Sequence, residues 1–127
     1  MPGCVTDISA KFWLRTANEV STQVFVSSSQ NMGPSIKSAA VKTNKDTDFT
    51  AVLTVQGLKP DTKYYYELFL NGRKQPKRWS FSTFPPDGAK AKFQIGFGGG
   101  AGYTPQYERM WNTVAAHNLL ALSLIHI

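Results

Sequence analysis

Gly57-Leu58-Lys59-Pro60-Asp61-Thr62-Lys63-Tyr64-Tyr65-Tyr66 carries the chain round a corner and into a strand. Pro60 fixes φ and stops the preceding strand from continuing. Asp61 and Thr62 have short polar side chains that can bond nearby backbone and hold the bend. Tyr64 then stands where its ring can be buried and its hydroxyl returned to the corner backbone, an arrangement of β-sandwiches. Three tyrosines that simply suit a β-strand would also explain the run. The corner is preferred because Leu58, Pro60, Thr62, Tyr64 and Tyr66 fall together at the offsets it needs.

Strand signals separated by turn residues extend in both directions from this corner. Residues 9–15 alternate, with Ala10, Phe12 and Leu14 on one face. Trp13 falls on the other face, so that face is either covered or the strand is bulged. Residues 22–26 place Val24 and Val26 together, with Phe25 opposite. A polar loop with Asn31, Gly33 and Pro34 precedes a weaker strand over 36–43, and a polar turn over 44–48 precedes a strand over 49–55 with Ala51, Leu53 and Val55 on one face. Beyond the corner, residues 64–70 meet Asn71-Gly72, a dipeptide suited to a type I′ hairpin, and residues 79–84 supply the returning strand. Tyr65 and Phe69 make the 64–70 strand apolar on its second face too, which implies a neighbour packed against it.

The pattern changes after Pro85-Pro86-Asp87-Gly88, a linker by composition. A short strand over 92–97 ends in Gly98-Gly99-Gly100-Ala101-Gly102. Thr104 can cap a helix with Pro105 at its first position. Tyr107, Met110, Trp111 and Val114 make one apolar stripe at helical spacing, and Asn118 is a stop. Residues 119–127 form an almost continuous apolar run, the look of a buried parallel strand. The last third of the chain therefore reads as β-loop-α-β, the first unit of an α/β layer, with its first strand and helix over 91–121, and such a unit needs the rest of a sheet.

The 127 residues are 42% hydrophobic and 17% charged, a globular composition, and the net charge is +6. Only Arg73, Lys74, Lys77 and Arg78 cluster. They either discourage edge-to-edge pairing of a hairpin or form a phosphate-attracting surface. Cys4 is the one cysteine, so no internal disulfide is possible. No apolar run reaches the ~18 residues of a membrane span, and no signal-peptide pattern precedes the first strand. Asp87, Glu108, His117 and His126 lack the company of a metal site. His117, near a helix end, suits the helix dipole. The 98–102 loop, with Tyr103 beside it, resembles a phosphate cradle but lacks the Lys-Ser/Thr of a P-loop.

Three stretches together carry a family resemblance: Val5-Thr6-Asp7-Ile8-Ser9-Ala10-Lys11-Phe12-Trp13-Leu14-Arg15-Thr16, the 57–66 corner, and Phe81-Ser82-Thr83-Phe84-Pro85-Pro86 running to Phe93-Gln94-Ile95-Gly96-Phe97-Gly98-Gly99-Gly100. They are similar to the N-terminal domain of the alkaline phosphatase D (PhoD-like) metallophosphoesterases, continuing into the first strand of the catalytic domain. The resemblance implies a fibronectin type III-like β-sandwich over 1–84, a linker over 85–90, and the start of a catalytic α/β domain over 91–121.

It further implies an exported parent, secreted or periplasmic, that hydrolyses phosphate mono- or diesters at two metal ions (Fe and/or Ca, Zn or Mn). Many relatives end their first strand Phe-Gly-Ser-Cys, with the cysteine on iron. Here the aligned residues are Phe97-Gly98-Gly99-Gly100, and Gly100 has no side chain to ligate a metal. The expected ligand block, Gly-Asp-x-x-x-x-Asp, does not occur after the second strand.

The fragment is therefore expected to hold no metal and no catalytic residue. Gly98, Gly99, Gly100 and Tyr103 form a substrate-adjacent loop, and Tyr64 and Pro60 are structural. The expected partner is the catalytic domain in cis, with no nucleic acid and no membrane span. Residues 122–127, Leu-Ser-Leu-Ile-His-Ile, match one translated frame of a common sequencing adaptor, although a natural apolar strand fits the same letters. Two other function classes remain open here: a stand-alone fibronectin-like binding or adhesion module, and a nucleic-acid binder suggested by charge alone.

Overall fold

The computed structural model describes residues 2–99, 109–117, 119 and 121–124. The chain divides into two compact units, Met1–Ala89 and Lys90–Ile127.

The first unit is a fibronectin type III-like β-sandwich. Its strands are β1 (Pro2–Gly3), β2 (Ser9–Arg15), β3 (Ser21–Ser27), β4 (Ile36–Lys37), β5 (Val41–Lys42), β6 (Thr50–Gln56), β7 (Lys63–Leu70) and β8 (Arg73–Ser82). One antiparallel sheet runs β1-β2-β6, and the other β4-β3-β7-β8 with β5 also on β3. The inward residues follow from strand alternation. Ala10 and Phe12 from β2 and Leu53 and Val55 from β6 meet Val24, Val26, Tyr64 and Tyr66 from the other sheet. Phe12 is the bridge: its ring centroid lies 4.8 Å from that of Tyr66 and 5.4 Å from that of Phe81.

Three local outcomes differ from the sequence reading, each for a physical reason. The weak strand expected over 36–43 is two short pieces, β4 and β5. Ser38 breaks it, because its buried hydroxyl accepts the Val24 N–H at 3.1 Å in place of a backbone carbonyl. The returning strand starts at Arg73 rather than 79. Asn71 and Gly72 have φ of 48° and 74°, the positive pair a type I′ turn requires, so pairing resumes at once with Leu70 opposite Arg73. Pro76 is tolerated within this strand because it lies opposite a register shift between Glu67 and Phe69, where no ladder N–H is asked of it. Trp13 is not at a bulge: β2 pairs with β6 residue for residue, setting Trp13 opposite Val52 on the outer face, 49% and 51% exposed.

The second unit contains β9 (Ile95–Gly98), α1 (Met110–Ala116) and β10 (Ala121–Leu124). β9 and β10 pair in parallel, Ile95 opposite Ala121 through Gly98 opposite Leu124. The first strand thus begins three residues later than its apolar letters suggest. A Cβ at Gly96 would come within 2.5 Å of the tip of the Leu119 side chain, which would have to turn aside to admit it. On the alternate positions Ile95 and Phe97 are 44% and 75% exposed. The expected cap and first turn at Thr104, Pro105 and Tyr107, and the stop at Asn118, lie outside the described residues.

Candidate functional site

The corner ahead of β7 holds the exit of the sandwich. The Tyr64 hydroxyl, on a side chain only 4% exposed, accepts the backbone N–H of Lys59 at 2.8 Å, the hydrogen bond of a tyrosine corner. The Thr62 hydroxyl donates to the Pro60 carbonyl at 2.7 Å, and Asp61 takes a left-handed φ of 44° to complete the bend. Thr83, which the sequence marks only as part of the stretch running into the linker, is buried at the centre. Its hydroxyl donates to the Lys59 carbonyl at 2.6 Å and accepts the Thr62 N–H at 3.0 Å. Phe84 next to it is bound at both ends, its N–H to the Thr6 carbonyl and its carbonyl to the Asp61 N–H. The segment entering Pro85-Pro86 therefore leaves the sandwich from a fixed point.

The outer face of the five-stranded sheet is built around Glu67. Strand pairing aligns Lys37, Phe25, Glu67 and Arg78 in one row across four strands. Glu67 is buried, and its Oε1 accepts from Arg78 Nε at 2.9 Å, Arg78 Nη2 at 2.6 Å and Lys74 Nζ at 3.1 Å. Arg78 also donates to the Gln30 carbonyl. Phe25 stacks on Phe69 at 4.1 Å between centroids, and Lys37 Nζ lies 4.5 Å above the Phe25 ring. The second apolar face of β7 is thus half-covered from within its own sheet, by stacked rings and by lysine stems.

Burial works to raise the Glu67 pKa, but the hydrogen bonds and charges of Arg78 and Lys74 outweigh it and hold the carboxyl below its ordinary value. A carboxylate lowered in the folded state stabilises the fold above its ordinary pKa and loses that stabilisation as pH falls through the lowered one. Glu67→Gln should therefore be less stable than the parent near pH 6, and the gap should close as pH falls toward 3. Urea midpoints measured across that range check it, and a gap that stays constant refutes the linkage.

In the second unit, Gly98 closes β9 and Gly99 follows it, at the carboxyl end of a parallel strand. That is the end where α/β sheets receive ligands. Gly100 and Tyr103 lie outside the described residues. A shallow depression lined by Lys92, Phe93, Gln94 and His117 lies at the opposite, amino end of β9. His117 follows α1, its backbone N–H bonded to the Val114 carbonyl, and stands apart from the glycines. Among the described residues no three His, Cys, Asp or Glu side chains come together as a metal site. Those residues do not fit the two metal ions that the resemblance implies. No described helix is long and apolar enough to cross a membrane.

Residues 2–85 match the family described as PhoD-like phosphatase, N-terminal domain. By structure the chain is similar to a solved PhoD, with a TM-score of 0.82 at 17% identity over 98% of this chain and 26% of that one. It spans about a quarter of the length of that relative. It is also similar to the sensor domain of the anti-sigma factor RsgI4 from Pseudobacteroides cellulosolvens, with a TM-score of 0.52 at 16% identity over 67% of this chain and 71% of that one. No curated protein matches the chain. At these identities the structural likeness establishes the fold alone.

Proposed function

Since the chain belongs to the PhoD-like phosphatase N-terminal domain family, we propose that it is the leading part of a longer, exported phosphate-ester hydrolase. The sandwich is the accessory domain and residues from Lys90 onward open the catalytic layer. The observation that carries this reading is the parallel β9-α1-β10 unit behind the sandwich. Parallel strands are normally buried on both faces by helices and flanked by further strands, whereas Ile95 and Phe97 here are exposed. A binding module has no use for part of an α/β layer, which sets the stand-alone adhesion reading second.

In this reading the catalytic carboxylates, histidines and metal ions belong to sequence beyond these 127 residues. Gly98 and Gly99 contribute backbone at the mouth of the site, where the lack of side chains lets a phosphate group approach closely. The test compares the 127-residue chain with a version extended through its downstream coding sequence, on p-nitrophenyl phosphate and its bis ester with added metal. No turnover above the metal-only blank is expected from the shorter chain, and turnover from the longer one. Hydrolysis by the shorter chain, or none by the longer, would overturn the proposal.

A further inference from the structure

Positive charge is segregated onto the outer face of the five-stranded sheet. Lys37, Lys63, Lys74 and Arg78 stand on it, Arg73 and Lys77 flank it in the hairpin, and Glu67 is the only acid on any of its strands. The other acids of the sandwich lie in loops and turns, where Glu19 holds Lys42 at 3.0 Å and Asp48 holds Arg15 at 2.7 Å. Lys42, on the short β5, is thereby neutralised and does not add to the face. The hairpin cations serve different ends. Lys77 sits with Pro76 in the register shift of the edge strand, as edge protection would have it. Lys74 and Arg78 are drawn onto the sheet face by Glu67, with 52% and 35% of their side chains exposed.

The four face cations span about 15 Å across the strands and about 20 Å along them, at ~4.8 Å between strands and ~3.3 Å per residue. That is about two to three Debye lengths at physiological salt, so each cation acts on a ligand mainly as its own contact, and a chain long enough to cross the face meets several of them. Against one carboxylate they leave a surplus of positive charge on a rigid platform. Lys37 and Lys63 lie over the rings of Phe25 and Tyr65 at 4.5 and 5.7 Å and have no carboxylate partner among the described residues. Arg78 is fixed by Glu67 and Gln30. Such a platform suits a flexible line of anions better than a shape-matched protein surface. Lysine supplies a point charge that asks no particular geometry of its ligand.

We propose that this face binds a flexible phosphate polymer. The choice of phosphate over carboxylate rests on the reading of the parent as a phosphate-ester hydrolase; the charge segregation stands without it. Contacts to about three or four phosphates predict an affinity that falls with salt at a log–log slope of about −2 to −3, at roughly −0.7 per contact.

The experiment is fluorescence anisotropy of the 127-residue chain with labelled inorganic polyphosphate, titrated between about 50 and 200 mM salt. Lys37→Gln with Lys63→Gln should weaken binding and flatten the slope by about 1 to 1.5. Lys11→Gln with Lys45→Gln removes the same net charge away from the face and should leave both unchanged. Equal weakening by the two pairs would reduce the effect to net charge, and no binding at the lowest salt would remove the site. Polyglutamate binding as tightly as polyphosphate would overturn the choice of phosphate. Binding is read here without hydrolysis. An extended chain that binds but does not hydrolyse sinks the hydrolase reading alone, and one that hydrolyses without binding sinks the face alone.

Discussion

Phe12→Ala should lower the stability of the sandwich by about 3–5 kcal/mol, the scale of emptying a large aromatic site in a packed core. Phe12 is 1% exposed and touches rings from the opposite sheet, Tyr66 on β7 and Phe81 on β8. Its removal strips contacts from both sheets at once, and the β2–β6 ladder on one side and the β3–β7 ladder on the other restrict how far the walls can close. The cost should therefore be the transfer of the ring plus most of the cavity left behind. For a domain this size it lowers the thermal midpoint by about 15 °C or more. The matched control is Val52→Thr, one strand away and pointing outward at 51% exposure, which should stay within about 0.5 kcal/mol. Thermal and urea unfolding of both variants check the pair. A Phe12 variant no weaker than the Val52 one would mean the sandwich does not hold its sheets together through this ring.

Phe12 and its core neighbours were legible because a strand buried on one face repeats every second residue, and the letters of β2, β3 and β6 do so without interruption. The Tyr64 corner was legible for a different reason. Its leucine, proline, threonine and tyrosine act within a few residues of one another, so their spacing alone carries the geometry. Glu67 and its partners were not. Counting outward from the Asn71-Gly72 turn places Glu67 opposite Pro76, where no partner exists. The register shift around Gln75, Pro76 and Lys77 brings Arg78 there instead. Nothing in the letters states that a bulge absorbs those residues rather than a longer loop.

The second apolar face of β7 was read correctly as apolar, but its cover comes from Phe25 and from lysine stems on neighbouring strands. Both are cross-strand contacts that no local window contains. The glycines at 98 and 99 were legible as a loop. Their place at the end of a parallel strand followed from the β-loop-α-β order, whereas the register, with Gly98 opposite Leu124, joins positions more than twenty residues apart.

Thr83→Val is expected to destabilise the sandwich by about 2–3 kcal/mol, although the side chain keeps its size and branching. The hydroxyl is a donor to Lys59 and an acceptor from Thr62, and Thr83 is 1% exposed. A methyl group in its place leaves a backbone carbonyl and a backbone N–H without partners in a site closed to water, and each such group costs about 1–3 kcal/mol. The Thr83 N–H still reaches the Thr62 carbonyl at 3.0 Å, so the strand end does not come free entirely.

Tyr64→Phe removes the acceptor of the neighbouring Lys59 N–H and should cost about 1 kcal/mol by itself. Lys59 is held by both hydroxyls, one through its N–H and one through its carbonyl. The double variant should therefore lose less than the two single losses combined, by at least about 0.5 kcal/mol. Chemical unfolding of the two single variants and the double one completes the cycle. Strict additivity would separate the tyrosine corner from the Thr83 bracket. A Thr83 variant within 0.5 kcal/mol of the parent, in the sense used for surface changes, would remove the bracket from the account of how the chain leaves the sandwich. Coupling between them means that one buried residue just past β8 and one at the start of β7 fix the same residue, Lys59, from its two sides, and with it the point from which the linker to the second unit departs.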